Sequence, residues 1–236
     1  MIRLIINEIV KCGRVKILTS YFVFTFVTFF IYILNENIIE YSYLNSYIMF
    51  IGIYASMLFG GIISNEVEKG TIRFYLSKPV KRWKIYLAKL LTIILYILSV
   101  MLLLIIIYNL LTREFDTKSI LMFLKNCIPL LIHSVLILLF STCFRSTSLC
   151  VGLYIFLIMF GVSIFQLWLS YDIDFILYTV IPYLDFSIFN DLSYLDINEL
   201  FNVFISIRNG IIIDVVYFFL LYFIGNFIFI KKDISN

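Results

Sequence analysis

The chain has 236 residues, of which 63% are hydrophobic and only 14% are charged, and its mean hydropathy is +1.05. Soluble domains are roughly 45–50% apolar and about 25% charged, so this composition excludes a soluble globular protein and predicts an integral membrane protein. The net charge of +3 does not indicate a nucleic-acid partner, because Lys and Arg cluster at the ends of apolar runs instead of along one soluble helix.

The first sixteen residues form an amphipathic segment. A helical wheel separates a polar face from an apolar face, with Arg3, Asn7, Lys11 and Arg14 on the first and Ile2, Ile5, Ile6 and Ile9 on the second. The apolar run that follows is too long for a signal peptide, and no small-residue cleavage site comes after it. We therefore expect residues 1–16 to form a helix in the membrane interface. The alternative is a continuation of the first span.

Six apolar runs are long enough to cross a hydrocarbon core, which requires about 20 helical residues. They are approximately Ile17–Leu34, Tyr47–Ile63, Ile85–Leu111, Ile120–Phe144, Leu149–Leu169 and Ile211–Ile230. The predicted fold is therefore all-α and polytopic, with residues 1–236 forming a single membrane domain.

The distribution of Lys and Arg predicts the orientation of these spans. With both termini in the cytoplasm, fourteen basic residues lie on the inner side and four, Arg113, Lys118, Lys125 and Arg208, lie on the outer side. Cytoplasmic loops carry the excess of basic residues in membrane proteins. This asymmetry favours cytoplasmic termini and places residues 64–84 in the cytoplasm.

Small and ionisable residues inside the spans are the candidates for helix packing or a substrate path. In the second span small residues recur at every fourth position, which allows another helix to approach closely; they are Gly52, Ser56, Gly60 and Ser64. In the fourth span Lys125 and His133 share one face with Pro129. Ionisable residues in a membrane invite a functional interpretation, but Lys125 is close enough to the outer end to snorkel, and hydrogen-bonded packing is the simpler role for His133.

Residues 64–84 have the pattern of a short helix held at the membrane surface. Gly70 can supply the left-handed turn that ends a helix, Thr71 can cap a new one, and Pro79 ends it. Ile72, Tyr75 and Leu76 then share one apolar face. The segment is suited to a groove on a soluble partner. The alternative is a basic loop that only fixes topology.

Catalysis by this chain is not indicated. A single histidine cannot supply the paired ligands of a zinc protease, and no Gly-rich phosphate-binding loop followed by Lys-Ser/Thr is present. The four cysteines suggest neither a disulfide framework nor a metal cluster. We expect no cofactor on this chain, and any energy must come from another protein.

The stretch Glu66-x-Glu68-x-Gly70-Thr71-Ile72-x-x-x-Leu76-Ser77-x-Pro79-Val80-x-Arg82, with Lys89 entering the next span, resembles the signature of ABC-2 type transporter permeases. The six-span plan and the amphipathic amino-terminal helix resemble that family over essentially the whole chain. The resemblance implies that the segment is a coupling helix that docks on an ATPase, with Glu66, Glu68, Gly70, Thr71, Ile72, Leu76, Ser77, Pro79 and Arg82 in the transmission element. It also implies that residues 170–209 dip into the outer face as re-entrant helices.

The resemblance further implies the partners and the cellular location. Two ABC ATPase subunits, which carry the ATP and Mg²⁺, and a second permease chain of the same or similar sequence would complete an exporter in the plasma membrane of a bacterium, in contact with membrane lipid. Small permeases of this shape resemble components that export bacitracin or lantibiotic-like peptides. We favour an amphipathic or lipid-like substrate, and the alternatives are sodium efflux or a non-transporting immunity protein that binds a toxin peptide.

Overall fold

The computed structural model describes residues 1–34, 41–71, 80–112, 117–169 and 207–231. Within these ranges the chain forms helices and no strand. They are α1 (Ile2–Cys12), α2 (Arg14–Leu34), α3 (Tyr41–Phe59), α4 (Ser64–Glu68), α5 (Arg82–Thr112), α6 (Thr117–Cys143), α7 (Thr147–Leu169) and α8 (Ile207–Lys231). The predicted all-α fold is confirmed for this part of the chain.

The long helices coincide with the six predicted spans. Five stretches meet the length and hydropathy needed to cross a membrane: Arg14–Leu34, Met49–Glu68, Arg82–Thr112, Asn126–Cys143 and Ile211–Lys231. The sixth predicted span is α7, a helix of 23 residues. The chain therefore has the helices of a multi-pass membrane protein, while the number of crossings stays a prediction.

Helices α5 and α6 form the centre of the bundle. α5 packs against α1, α2, α3, α6 and α8, and α6 packs against α3, α5, α7 and α8. In contrast, α2 and α8 expose long apolar faces that include Phe22, Phe26, Phe219 and Phe223. A membrane helix that exposes apolar side chains needs no protein cover, because hydrocarbon is its solvent.

The amino-terminal helix is separate from the first span, and it ends earlier than predicted. α1 stops at Cys12, and Gly13 adopts a φ of 90°, a conformation that favours glycine. Arg14 and Lys16 therefore belong to the first turn of α2. The most buried residue of α1 is not one of the predicted apolar face but Glu8, whereas Ile2 and Ile6 are exposed.

The second predicted span is interrupted. α3 ends at Phe59, residues 60–63 form a turn, and the short helix α4 follows. In the turn, the backbone N–H groups of Ile63 and Ser64 have no helical carbonyl as acceptor. The hydroxyl of Ser141 on α6 accepts both hydrogen bonds, at 2.9 Å from Ile63 and 3.2 Å from Ser64. The prediction of a continuous helix over Tyr47–Ile63 is wrong at this point, because a side chain of another helix stabilises the break.

Helix α1 lies at the same end of the bundle as the carboxyl end of α8. At the start of α5, the guanidinium of Arg82 donates a hydrogen bond of 2.7 Å to the backbone carbonyl of Ile230. Two turns further along α5, Lys89 contacts α1. The location of both termini in the cytoplasm stays a prediction.

Several predicted features lie outside the described residues. They include Ile72, Tyr75, Leu76, Ser77 and Pro79 of the predicted coupling helix, and residues 170–206 of the predicted re-entrant segment. Residues 207–209, which the prediction includes in that segment, belong to α8.

Candidate functional site

A buried lysine lies at the point where α1, α4 and α5 meet. The side chain of Lys89 is fully buried, and its Nζ lies 2.9 Å from each of three oxygen atoms. These atoms are Oε2 of Glu8 on α1, Oε2 of Glu66 on α4, and the backbone carbonyl oxygen of Ile62 in the turn before α4. The ammonium donates hydrogen bonds to the oxygens of Glu8 and Ile62, and Oε2 of Glu66 is its ion-pair partner.

Lys11 completes a ring of alternating charges. Its Nζ lies 2.7 Å from Oε1 of Glu8 and 2.7 Å from Oε1 of Glu66. Each carboxylate therefore contacts both ammonium groups, and each ammonium contacts both carboxylates. Glu8, Lys11, Glu66 and Lys89 are called the charge ring below.

The charge ring is electrically balanced, and this balance permits the burial of Glu8 and Lys89. Two carboxylates and two ammonium groups sum to zero, whereas a single buried charge would carry a desolvation cost on the order of several kcal/mol. Burial by itself raises the pKa of the Glu8 carboxyl. The attraction of Lys89 and the hydrogen bonds from Lys11 and Lys89 outweigh burial, and they hold that pKa below its usual value of 4.5.

The helix break after Phe59 creates part of this site. Because the chain turns at residues 60–63, the carbonyl of Ile62 accepts a hydrogen bond from Lys89, and α4 projects Glu66 toward the same ammonium. The hydroxyl of Ser141 accepts a hydrogen bond from the backbone of the same turn. The site therefore depends on a local departure from helical geometry, which two other helices stabilise.

A cleft of about 360 Å³ opens beside the charge ring. It lies between the start of α2, the end of α3 and α4, and its lining includes Lys16, Lys69, Asn65, Leu58 and Ile62. The cleft is close to the boundary of the predicted membrane, because the long apolar helices begin and end here. The thiol of Cys12 also lines the cleft.

The predicted coupling residues within the described part of the chain occupy different environments. Glu66 is in the charge ring, whereas Glu68 is exposed at the end of α4. Gly70 has the predicted left-handed conformation, with a φ of 67°. The hydroxyl of Thr71 donates a weak hydrogen bond of 3.4 Å to the carbonyl of Glu66. Arg82 contacts the carbonyl of Ile230 on α8.

The predicted small-residue strip packs within the chain. Gly52, Ser56, Gly60 and Ser64 are all buried. A Cβ atom added to Gly52 would overlap the Tyr154 hydroxyl of α7, and one added to Gly60 would lie 2.7 Å from Cγ2 of Val151. The strip therefore allows α7 to approach α3 closely, although Gly60 and Ser64 lie beyond the end of α3 itself.

His133 lies against the same strip. It is buried on α6, and its Nδ1 is 2.7 Å from the Tyr154 hydroxyl in a hydrogen bond. The ring also lies near Gly52, at 3.2 Å from a Cβ built there. This is the geometry of hydrogen-bonded packing between α6 and α7. The backbone of Lys125 is in α6, and its side chain lies outside the described residues.

Two functional candidates were missed by the sequence analysis. Glu8 falls between the two faces that the helical wheel separated, and the only local indication of its pairing is Lys11 three residues later. Asp214 of α8 is fully buried on the packed face of that helix, and its carboxylate accepts no hydrogen bond from the described residues. The sequence signal for Asp214 is a single carboxylate within an apolar run, which is a reason to suspect a functional role.

Comparison with known families identifies the group to which the chain is related. Residues 4–235 match the family described as "Protein of unknown function (DUF2705)". The chain belongs to the DUF2705 family. The match covers the charge ring, the cleft and all of the long helices, so these features lie inside the DUF2705 region.

A related protein is found in Bacillus subtilis (strain 168). It is "Uncharacterized protein YhcI", and it is 23% identical to this DUF2705 chain over 210 residues. The matched region covers 78% of this chain and 65% of YhcI. The chain thus matches slightly less than two thirds of its relative's length.

Proposed function

We propose that this chain is the membrane-spanning permease subunit of an ATP-driven exporter of the ABC-2 type. The observation that carries the proposal is the pairing of Glu66 with Lys89 at 2.9 Å. Both residues belong to the stretch that resembles the permease signature, and they lie on opposite sides of the segment that would contact an ATPase. Their pairing gives these signature residues a physical role.

The charge ring would transmit movement of the coupling segment into the bundle. The segment follows α4 and precedes α5 in the chain. Lys89 of α5 forms ion pairs with Glu66 of α4 and with Glu8 of α1, so it links these three helices. Displacement of α4 by a bound ATPase would therefore move α1 and α5 with it, because separating a buried ion pair carries a large desolvation cost. ATP and Mg²⁺ would be bound by the ATPase and not by this chain.

A second permease chain, of the same or similar sequence, would complete the path. Alternating access requires two halves that move against each other, and the described helices of one chain form a single bundle around α5 and α6. The exposed apolar faces of α2 and α8 are available for lipid or for the second chain. We propose an amphipathic or lipid-like substrate, because the exposed faces of the described helices are rich in large apolar side chains.

One observation favours an ion-efflux permease as the second candidate. Asp214 is a buried carboxylate within a predicted span, and a cation stripped of water requires oxygen ligands. Asp214→Asn keeps the side-chain shape and removes the charge. Under the ion-efflux hypothesis it should abolish sodium export, whereas under the amphipathic-substrate hypothesis export of the peptide should continue.

The test of the main proposal is association with an ATPase. The full chain, extracted in mild detergent from its native membrane, should co-purify with an ATP-hydrolysing subunit in a two-plus-two complex. Ile72→Asp and Leu76→Asp should reduce this association, because they place a charge in a desolvated contact. Arg3→Gln, at an exposed site on α1 outside the coupling segment, serves as a control.

Each other outcome identifies a different function. Normal ATPase association and export with both Asp variants would reject the coupling role. Protection of cells against a toxin peptide by the chain without any ATPase would instead support the immunity protein.

A further inference from the structure

The cleft beside the charge ring has an excess of positive charge. The ring itself sums to zero, since Lys11 and Lys89 balance Glu8 and Glu66. Lys16 from the first turn of α2 and Lys69 from the end of α4 also line the cleft, and both are exposed. In the described part of the chain, no carboxylate forms an ion pair with either of these lysines. The cleft therefore presents two positive charges to a ligand.

The polar part of the lining also contains uncharged hydrogen-bonding groups. Asn65 and Thr71 line the cleft and are exposed, with an amide and a hydroxyl respectively. An amide and a hydroxyl can donate hydrogen bonds to an oxyanion. Together with the two ammonium groups they match the chemistry of a phosphate.

Leu58, Phe59 and Ile62 form an apolar wall of the cleft. Leu58 and Ile62 are half-buried, and Phe59 is buried. Leu58 and Phe59 are in the last turn of α3, so this wall is continuous with a helix that is predicted to cross the membrane. A free phosphate ion would leave this wall in contact with water, whereas a phospholipid would cover it with the first carbons of its acyl chains.

We propose that this cleft binds the phosphate headgroup of an anionic phospholipid, from the leaflet on the side of the chain termini. Lys16 and Lys69 attract the phosphate, Asn65 donates hydrogen bonds to its oxygens, and Leu58 and Ile62 contact the glycerol and upper acyl region. The Thr71 hydroxyl exchanges its weak 3.4 Å hydrogen bond to the Glu66 carbonyl for one to a phosphate oxygen. Binding would join the start of α2 to α4 through the lipid. The lining residues support this binding whether or not the chain is a permease.

The experiment compares two double variants that lose the same charge. Lys16→Gln/Lys69→Gln removes the two cleft lysines, and Arg3→Gln/Lys84→Gln removes two exposed basic residues that do not line the cleft. The purified full chain is titrated in detergent with phosphatidylglycerol, with phosphatidylcholine of the same acyl chains, and with soluble glycerol phosphate. Thermal stability reports binding, and native mass spectrometry counts the retained lipids.

Phosphatidylglycerol should stabilise the wild-type protein more than phosphatidylcholine does, and glycerol phosphate should have no effect. The affinity for phosphatidylglycerol should fall on the order of tenfold in the cleft variant, since each basic residue near a membrane surface contributes to the binding of anionic lipid. The control variant should change by no more than about twofold by the same reasoning.

Three results would overturn the proposal. Equal losses in both double variants would indicate general attraction by surface charge. Equal stabilisation by phosphatidylcholine would exclude recognition of the anionic headgroup, and full competition by glycerol phosphate would identify a site for free phosphate. If the cleft variant fails to fold, Asn65→Ala/Thr71→Val removes the two neutral donors without a change of charge, and it should also weaken phosphatidylglycerol binding.

Discussion

The hydroxyl of Ser141 on α6 lies 2.9 Å from the backbone nitrogen of Ile63, where it accepts the hydrogen bond that the interrupted helix cannot provide. The same oxygen also accepts a hydrogen bond from the backbone of Ser64. One buried hydroxyl thus stabilises the turn that presents the Ile62 carbonyl to Lys89. Ser141 and Lys89 both hydrogen-bond to the backbone of the same break, although neither is near it in the sequence.

Ser141→Ala should destabilise this turn. The substitution leaves two buried N–H groups without an acceptor, and an unsatisfied buried donor costs about 1–3 kcal/mol. Thermal unfolding of the purified protein in detergent measures the effect. Ser134→Ala is the matched control, because the Ser134 hydroxyl is also buried on α6 but donates to the carbonyl of Leu131 in its own helix. Equal stability of both variants would contradict the capping role of Ser141.

Lys89→Met should destabilise the protein more strongly. Removing this ammonium leaves the carboxylates of Glu8 and Glu66 with Lys11 alone, and breaking a buried ion pair costs about 3–5 kcal/mol. The triple variant Glu8→Gln/Glu66→Gln/Lys89→Met should recover much of the loss, because it removes the uncompensated charges as well.

Lys84→Met provides the control for the loss of a positive charge, since Lys84 is exposed on the first turn of α5. Unfolding temperatures of all four proteins are compared in one detergent. If the triple variant is no more stable than Lys89→Met, the charge balance of the ring does not account for its contribution to stability.

The stability of the protein should depend on the protonation of Glu8. The folded-state pKa of this carboxyl lies below its usual value of 4.5, so its contribution to stability is fully present above about pH 4.5 and is lost as the pH falls through the lower, folded-state pKa. At pH 7 the Glu8→Gln variant should unfold at a lower temperature than the wild type.

The difference between the two proteins should shrink as the pH is lowered from 5 toward about 3, because protonation removes the same charge from the wild type. Glu68→Gln is the control at an exposed carboxylate, and its difference from the wild type should stay small across this range. A constant difference for Glu8→Gln would contradict the proposed ion pairing.

Gly70→Val should impair coupling without unfolding the membrane bundle. Gly70 has a φ of 67°, and the space around a Cβ at this position is open. The cost is therefore backbone strain, about 1–2 kcal/mol for a residue that avoids the left-handed region. Gly70→Asn is the control, because Asn tolerates this conformation. ATPase association should fall for the Val variant and persist for the Asn variant, and equal association would reject a role for the turn.

The sequence predicted the long helices well, because a continuous apolar run of about 20 residues has few other structures in a membrane. It did not predict the break at residues 60–63, since Gly52, Ser56, Gly60 and Ser64 form an uninterrupted helical pattern. The acceptor that stabilises the break, Ser141, is nearly eighty residues away. The charge ring was missed for the same reason: Glu8 and Lys89 are 81 residues apart, and only the fold brings them together.

Gly52→Ala should disrupt the packing of α3 against α6 and α7. The added Cβ would overlap the hydroxyl of Tyr154 and would lie 3.2 Å from Nδ1 of His133, so it would displace two side chains that hydrogen-bond to each other. Overpacking of this kind costs about 1–3 kcal/mol. Gly152→Ala is the matched control on α7, because a Cβ there meets no atom within 4 Å. It should be neutral or slightly stabilising, since Ala favours a helix over Gly. Unfolding temperatures measured in the same detergent compare the two variants, and equal tolerance of both would show that the packing of α3 against α7 does not require glycine at position 52.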